Sequence, residues 1–508
     1  MKRLALLALF SLTACDLKEL IGRLPQAPRT REPDGGPESS EDASKKTFAV
    51  MAPLLVGSDG VSWSDFRKQL KTFKKLGVQS VSTDIWWGIV EPEDNHFDWS
   101  RYDRLSDEII AAGLKWVPIL SFHQCGGNVG DDCDVPVPSW IWAKYVGAPG
   151  VDETRDLGFV SEQGNASFET LSPWATELAL EDYAELMRAF RDRFATKARF
   201  IPEINVSLGP AGELRYPSYN AHDVGTGYPT RGGLQAYSDL AQASFRQSMV
   251  RKYSGRLQAV AAAWRRELRS WDDVQAPADA DAFFAELGSE FDGDYGRDFF
   301  AWYQDSLLDH GNRLMDEAFL AFGARSSAFA KVDLGAKIPG VHWRMGERLG
   351  RLRSERRNAR VRLAGREAEL TAGLIRFDQA AWNSDAQGRG YRPLLRSLRR
   401  LSNRPEKNRF VVHFTCLEMN DGDGDAQALS LAKSLVGWFG AEARRQKLPL
   451  KGENALAGLL YSDFAWKNLE NALDSDLYQG LTILRINELY SNDFGRAELK
   501  KLIRNFTP

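Results

Sequence analysis

An α/β chain closed into a parallel (β/α)8 (TIM) barrel, with long inserted loops at its C-terminal face forming a small lobe, is the fold the sequence predicts. Three observations carry that prediction. Eight short apolar runs alternate with segments of helical periodicity between residues 47 and 506. No Gly-rich phosphate fingerprint follows the first run, which argues against an open doubly wound sheet. The intervals after the third and fourth runs far exceed one loop and one helix, so they hold extra structure beyond the strand ends.

In order, Thr47–Leu54 is the first strand, and Trp63–Leu76 follows with apolar residues at helical spacing, closed by Gly77. Gln79–Trp87 is the second strand, and Trp99–Ala112, ended by Gly113, the second helix. Lys115–Phe122 is the third strand, with a long polar stretch before a helix at Leu178–Lys197. Arg199–Val206 is the fourth strand, Asp333–Val341 the fifth, Arg409–Cys416 the sixth, the short Leu448–Lys451 the seventh and Leu481–Ile486 the eighth. Helices are expected at Ala426–Arg445, Ser462–Leu473 and Arg496–Phe506. The stretch Trp343–Ala368 carries nine arginines from Arg344 to Arg366 and reads as a solvated basic helix.

Residues 1–15 stand outside the fold. Lys2 and Arg3 form a positive start, Leu4–Leu12 a short apolar run, and Leu12-Thr13-Ala14-Cys15 resembles the lipobox of bacterial lipoproteins, which marks Cys15 for lipidation. The apolar run is too short to span a membrane permanently. A lipid-anchored protein of the bacterial cell envelope, with no transmembrane helix in the mature chain, is therefore expected. Residues 16–46, rich in Pro, Gly, Ser, Arg and Glu, read as a flexible tether, and residues 47–508 as the folded domain. Besides Cys15 only Cys125, Cys133 and Cys416 remain, an odd number that argues against a full disulfide framework. A net charge of −3 gives no reason to expect a nucleic-acid partner, and a monomer is expected.

Polar residues gather where barrel chemistry takes place, at the C-terminal ends of the strands. The second strand runs into Asp84 to Glu91, the third into His123 to Asp131, and the fourth into Leu208–Tyr219, where Glu213 sits amid glycines, prolines and aromatics. The fifth brings Lys337, His342 and Trp343, the sixth Thr415 to Met419, the seventh Gly452 to Leu456 and the eighth Arg485. One His and one Asp are too few ligands to make His123–Asp131 a metal loop, and it lacks the Lys-Ser/Thr ending of a phosphate loop. Gly126, Gly127 and Gly130 suit a mobile lid instead. Carboxylates on several strand ends, with aromatics beside them and no metal set, point to glycoside hydrolysis, which needs one protonated and one ionised carboxyl flanking the bond. Glu213 is the first candidate; spacing leaves its partner open among Glu418, Glu453, Asp84 and Asp131.

His123–Asp131 and Gly209–Tyr219 together resemble the two signature segments of the β-amylases, the inverting exo-acting α-1,4-glucan hydrolases. The likeness extends through Asp84–Glu91, Lys337–Trp343, Glu369–Gly373, Phe414–Met419 and Gly452–Leu456, and covers roughly residues 47 to 490. It implies that Glu213 is the general acid and Glu453 the general base, with Glu418 a neighbour. It also implies that Asp131 rides on the closing lid and that Thr415 lies on a loop that moves when substrate binds. Asp84, His123, Lys337, His342, Asn454, Ala455 and Arg485 fall at sugar-contacting positions, and Trp343 offers a ring face. No cofactor or metal is implied, and the partner is an α-1,4-glucan.

Inversion requires room for a water, so a carboxyl separation of about 6.5–9.5 Å is expected. Arg344 stands where many relatives have a second aromatic residue, and the acidic loop Asn420–Ala426 lacks the bidentate Glu of an EF-hand. The chain stops at Pro508, so no appended starch-binding domain is expected. Two alternatives stand beside this expectation: an exo-glucanase of different product length, and a catalytically silent surface glucan-binding lipoprotein.

Overall fold

The computed structural model describes residues 46–57, 60–127, 132–219, 222–284, 290–343, 368–376 and 389–507. Cys15, the tether up to residue 45, Asp131 and the Arg-rich stretch 344–366 lie outside these residues. Eight strands form a closed barrel: β1 (Thr47–Met51), β2 (Ser80–Trp86), β3 (Lys115–Ser121), β4 (Glu203–Val206), β5 (Asp333–Ile338), β6 (Phe410–Phe414), β7 (Leu450–Glu453) and β8 (Gly480–Ile483). Each pairs parallel with its neighbours, and β8 closes on β1 through Thr47 opposite Gly480. The predicted barrel is therefore the observed one.

Outer helices follow each strand: α1 (Trp63–Leu76), α2 (Ser100–Ala111), α3 (Thr176–Phe194), α4 (Asp294–Phe322), α5 (Arg392–Arg399), α6 (Ala432–Arg445), α7 (Asp463–Asp474) and α8 (Asp493–Phe506). Local chemistry explains α1 well. Ser62 accepts from the Asp65 N–H at the start, Gly77 ends the helix at φ 101°, and Phe66, Leu70 and Phe73 recur on one buried face. On α3, Phe190 and Phe194 cover Trp116 of β3, with ring centres 5.7 and 5.0 Å away.

Strand ends differ from the expected runs for backbone reasons. Arg199–Val206 begins as a 3-10 turn, and the strand starts only after Pro202, which has no N–H to give to the ladder. The seventh strand runs two residues beyond the predicted Lys451, which makes Glu453 its last residue, in register with Thr482 of β8.

The long intervals build the expected lobe. After β3 come a short helix, Ser139–Lys144, and an antiparallel pair, Phe159–Val160 with Ala166–Ser167. After β4 come helices Asp239–Lys252 and Leu257–Trp264 before α4. An aromatic stack ties this lobe to the barrel. Trp302 stacks on Trp174, Trp174 on Tyr216, and Tyr216 on Tyr303 at 3.9 Å. Tyr216 lies three residues beyond Glu213, so the stack anchors the loop that holds this carboxylate.

Candidate active site

The loop leaving β4 makes one tight turn before Glu213. Pro210–Gly212 form a 3-10 turn with Ala211 at φ 55° and Gly212 at φ 78°, and the Glu213 N–H donates back to Pro210 O. A Cβ at residue 212 would stand 3.2 Å from the His123 ring, so glycine serves both the left-handed backbone and the close approach. The next N–H, from Leu214, donates to Lys337 O at 3.0 Å, which fastens Glu213 beside β5.

The Glu213 carboxylate is 13% exposed and accepts from Arg215 Nε at 2.9 Å. Arg215 is itself buried, with its guanidinium 4.2 Å from the Tyr219 ring centre. Glu453 is 6% exposed, with Lys337 Nζ 2.8 Å from Oε2 and His413 Nδ1 3.4 Å from Oε1. Lys337 thus bears on both carboxyls: its side chain pairs with Glu453, and its charge acts on both.

Burial pushes Glu213 above the usual carboxylate range, and the nearby charge of Glu453 adds to this against the pull of Arg215 and Lys337. Burial pushes Glu453 up as well, but Lys337 and His413 outweigh it and hold this carboxyl down at about 2. One carboxyl pushed up and another held down, in one buried site, form the pattern of an acid–base pair.

Glu418, the other candidate from the sequence, is a loop anchor. Its oxygens accept from the backbone N–H groups of Ala455 at 3.0 Å and Leu456 at 2.7 Å, next to Glu453. Asn454 completes that turn by accepting from the Leu484 N–H. Asp84 accepts from Ser121 Oγ at 3.0 Å and acts electrostatically on Lys337. His123 is buried, bonded to Ser207 Oγ through Nδ1, and lies edge-on to Trp86. Burial first, then the charges of Lys337 and Arg215, hold its pKa down at about 3, so it is a neutral ring.

Thr415 accepts from the Gly340 N–H at 2.7 Å, and Arg485 reaches Met51 Sδ at 3.1 Å. His342 pairs with Ser430 Oγ, and burial holds its pKa down at about 4. Trp343 is 6% exposed and packed by Tyr219 and Tyr228 at 4.8 and 5.9 Å between ring centres. Its ring is mostly covered by protein, whereas Tyr228 is 45% exposed. Asp131 lies outside the described residues, and Cys125 and Cys133 on either side of it are disulfide-bonded.

Sequence reasoning missed four charged residues: Arg215, His413, Glu203 and Lys451. Arg215 lay in plain view two positions after Glu213. The signal for the other three was an ionisable side chain within a short apolar run, as for Glu203 and His413, or at its end, as for Lys451. Away from these residues, Glu91, Asp94 and Glu185 have carboxylate oxygens within 4.8 Å of one another, a spacing that could hold a cation. Glu91 also accepts from Trp87 Nε1 and the Asn95 N–H, while Asp94 pairs with Lys144.

Comparison with known proteins gives concordant results. The family model described as Glycosyl hydrolase family 14 matches residues 49–507. A beta-amylase of Cytobacillus firmus is 37% identical over 446 residues, covering 88% of this chain and 83% of its own. A beta-amylase of Niallia circulans is 36% identical, covering 88% of this chain and 68% of its own. Among solved structures, the catalytic domain of beta-amylase from Paenibacillus polymyxa superposes with a TM-score of 0.75 at 35% identity, covering 92% of this chain and all of that one.

Proposed function

The chain belongs to glycosyl hydrolase family 14, and from that premise we propose that it is a β-amylase, cleaving α-1,4-glucosidic bonds of starch, glycogen or dextrins from non-reducing ends and releasing β-maltose with inversion. The observation that carries this reading is the opposed environment of two buried carboxyls that share the charge of Lys337: Glu213 is pushed up and Glu453 is held at about 2. In the proposed reaction Glu213 donates its proton to the glycosidic oxygen as the bond to C1 breaks. Glu453 takes a proton from water, which attacks C1 from the opposite face, and that geometry calls for a carboxyl separation of about 6.5–9.5 Å. Lys337 keeps the base ionised.

Asp84, His123, His342, Trp343, Thr415, Asn454, Ala455 and Arg485 supply sugar contacts in this reading, with Asp131 on the lid. The test is proton NMR of the products from soluble starch. Maltose appearing first as the β-anomer is the expected result. A ladder of oligosaccharides, or α-maltose, would overturn it.

The chain ahead of the barrel has a second proposed role, with Cys15 carrying a lipid anchor and residues 16–46 acting as a tether. Its support is the charged start, short apolar run and Cys of the first 15 residues. No helix among the described residues is long and apolar enough to cross a membrane. Expressed in a bacterial host, the full chain is expected to enter the detergent phase on Triton X-114 partitioning and Cys15→Ser the aqueous phase; equal partitioning would rule the anchor out.

A further inference from the structure

Beneath Glu453 the barrel interior holds a second layer of ionisable side chains that neither proton transfer nor sugar binding uses. Strand register sets it up. Lys337 of β5, His413 of β6 and Lys451 of β7 are successive register partners, and Glu203 begins β4. Glu203 Oε1 lies 2.5 Å from His413 Nε2, and Glu203 Oε2 lies 2.5 Å from Lys451 Nζ. The other imidazole nitrogen, Nδ1, lies 3.4 Å from Glu453 Oε1. Glu203 and His413 are 1% and 4% exposed. Gly335 of β5 keeps the space open, because a Cβ there would clash with Asn205 Oδ1 and stand 2.9 Å from Glu203 Oε1.

A neutral imidazole has one N–H and one lone pair, so with a carboxylate facing each nitrogen one of them would oppose lone pair to lone pair. An imidazolium removes that opposition: Nε2 donates to Glu203, while Nδ1 makes no hydrogen bond among the described residues and meets Glu453 Oε1 as a charge contact at 3.4 Å. We infer that His413, held as an imidazolium between Glu203 and Glu453, is a positioning residue that orients Glu453 and keeps it ionised, and so sets the acid limb of the pH–rate profile. This rests on the reading of Glu453 as the general base.

The electrostatics of the neighbouring elements agree. Facing the pair are Lys337 from β5, Lys451 from β7 and Glu203 from β4, while Asp333 at the foot of β5 is paired with Arg409 at 2.6 Å. Above them Glu213 pairs with Arg215. Counting Lys337, Lys451 and His413 against Glu203 and Glu453, the cations exceed the anions by one, which favours the charged form of both carboxylates. Burial pushes His413 down, but Glu203 and Glu453 outweigh it and raise it to about 9. Burial pushes Glu203 up, and Lys451 and His413 more than reverse this. A barrel core is ordinarily filled by apolar layers, and unpaired buried charge is costly, so removing one member propagates to the others.

The test is the pH dependence of kcat/KM on maltotetraose for His413→Asn and Glu203→Gln. In His413→Asn the acid limb is expected to move up by about one pH unit, equivalent to roughly a tenfold loss of kcat/KM on that limb, with KM changed by less than about twofold. Glu203→Gln is expected to shift the limb in the same direction by less. Acid limbs that coincide with the wild type would overturn the inference, as would a KM change with no movement of the limb.

If His413→Asn does not fold, 15N spectra of histidine side chains in the wild type keep the question open to refutation, with Glu203→Gln marking the His413 signal. An imidazolium persisting at pH 8 supports the inference, and a neutral ring at pH 7 overturns it. Glu453→Gln separates the two levels: turnover retained there removes the base assignment itself. An inactive Glu453→Gln beside an unshifted His413→Asn removes only the positioning role.

Discussion

Glu213→Gln and Glu453→Gln are each expected to lower kcat on soluble starch by roughly 10²–10⁴-fold while leaving maltotetraose binding within about threefold of wild type. The amide keeps the shape of the side chain but has no acidic proton to donate and no basic oxygen to take one. The two losses differ in kind, and that difference is the stronger test. A leaving group that needs no protonation, such as the fluoride of α-maltosyl fluoride, should restore much of the rate in Glu213→Gln and little in Glu453→Gln. A small anionic nucleophile such as azide, which needs no general base, should rescue Glu453→Gln and yield β-maltosyl azide. Either variant retaining turnover within about tenfold of wild type would remove its assigned role.

Lys337→Met is expected to move the whole pH–rate bell to higher pH and to cost stability. Lys337 Nζ lies 2.8 Å from Glu453, whose carboxyl is held at about 2, below the unfolded value of about 4.3. A depressed acid of this kind contributes stability that is present above the unfolded pKa and lost as pH falls through the folded one. Removing the cation raises Glu453, so the base protonates at higher pH and the acid limb climbs.

Lys337 also pulls Glu213 down, so its loss raises the acid as well, and the basic limb climbs with it. Leaving a buried carboxylate short of its partner costs about 3–5 kcal/mol, to be read from urea unfolding. A misfolded fraction lowers amplitude without moving either limb. A bell that keeps its wild-type position would therefore contradict this account of Lys337.

The barrel was legible because each strand is an apolar run bounded by turn residues and each helix keeps its 3.6-residue period, as α1 shows between Ser62 and Gly77. The lobe was legible only as excess length: α4, 29 residues from Asp294 to Phe322, gave no clear periodic signal because buried residues occur on nearly every face. Trp343 illustrates a different limit. An aromatic at a strand end suits sugar stacking and side-chain packing alike, and only the positions of Tyr219 and Tyr228 show how much of its ring is covered.

The choice of partner for Glu213 marks the same boundary. From spacing, Glu418 and Glu453 were equivalent, and resemblance alone chose between them. In the structure, Glu418 accepts two backbone N–H groups and fixes a turn, whereas Glu453 faces Lys337 and His413. The sequence by itself determined the order of strands and helices and the loop that presents Glu213, because these depend on period, turn chemistry and burial over a few neighbouring residues. Only the tertiary structure decided which carboxyl is pushed up and which is held down. Charge state depends on desolvation and on partners such as Glu203 and His413, which are 210 residues apart in the chain and meet only when the barrel closes.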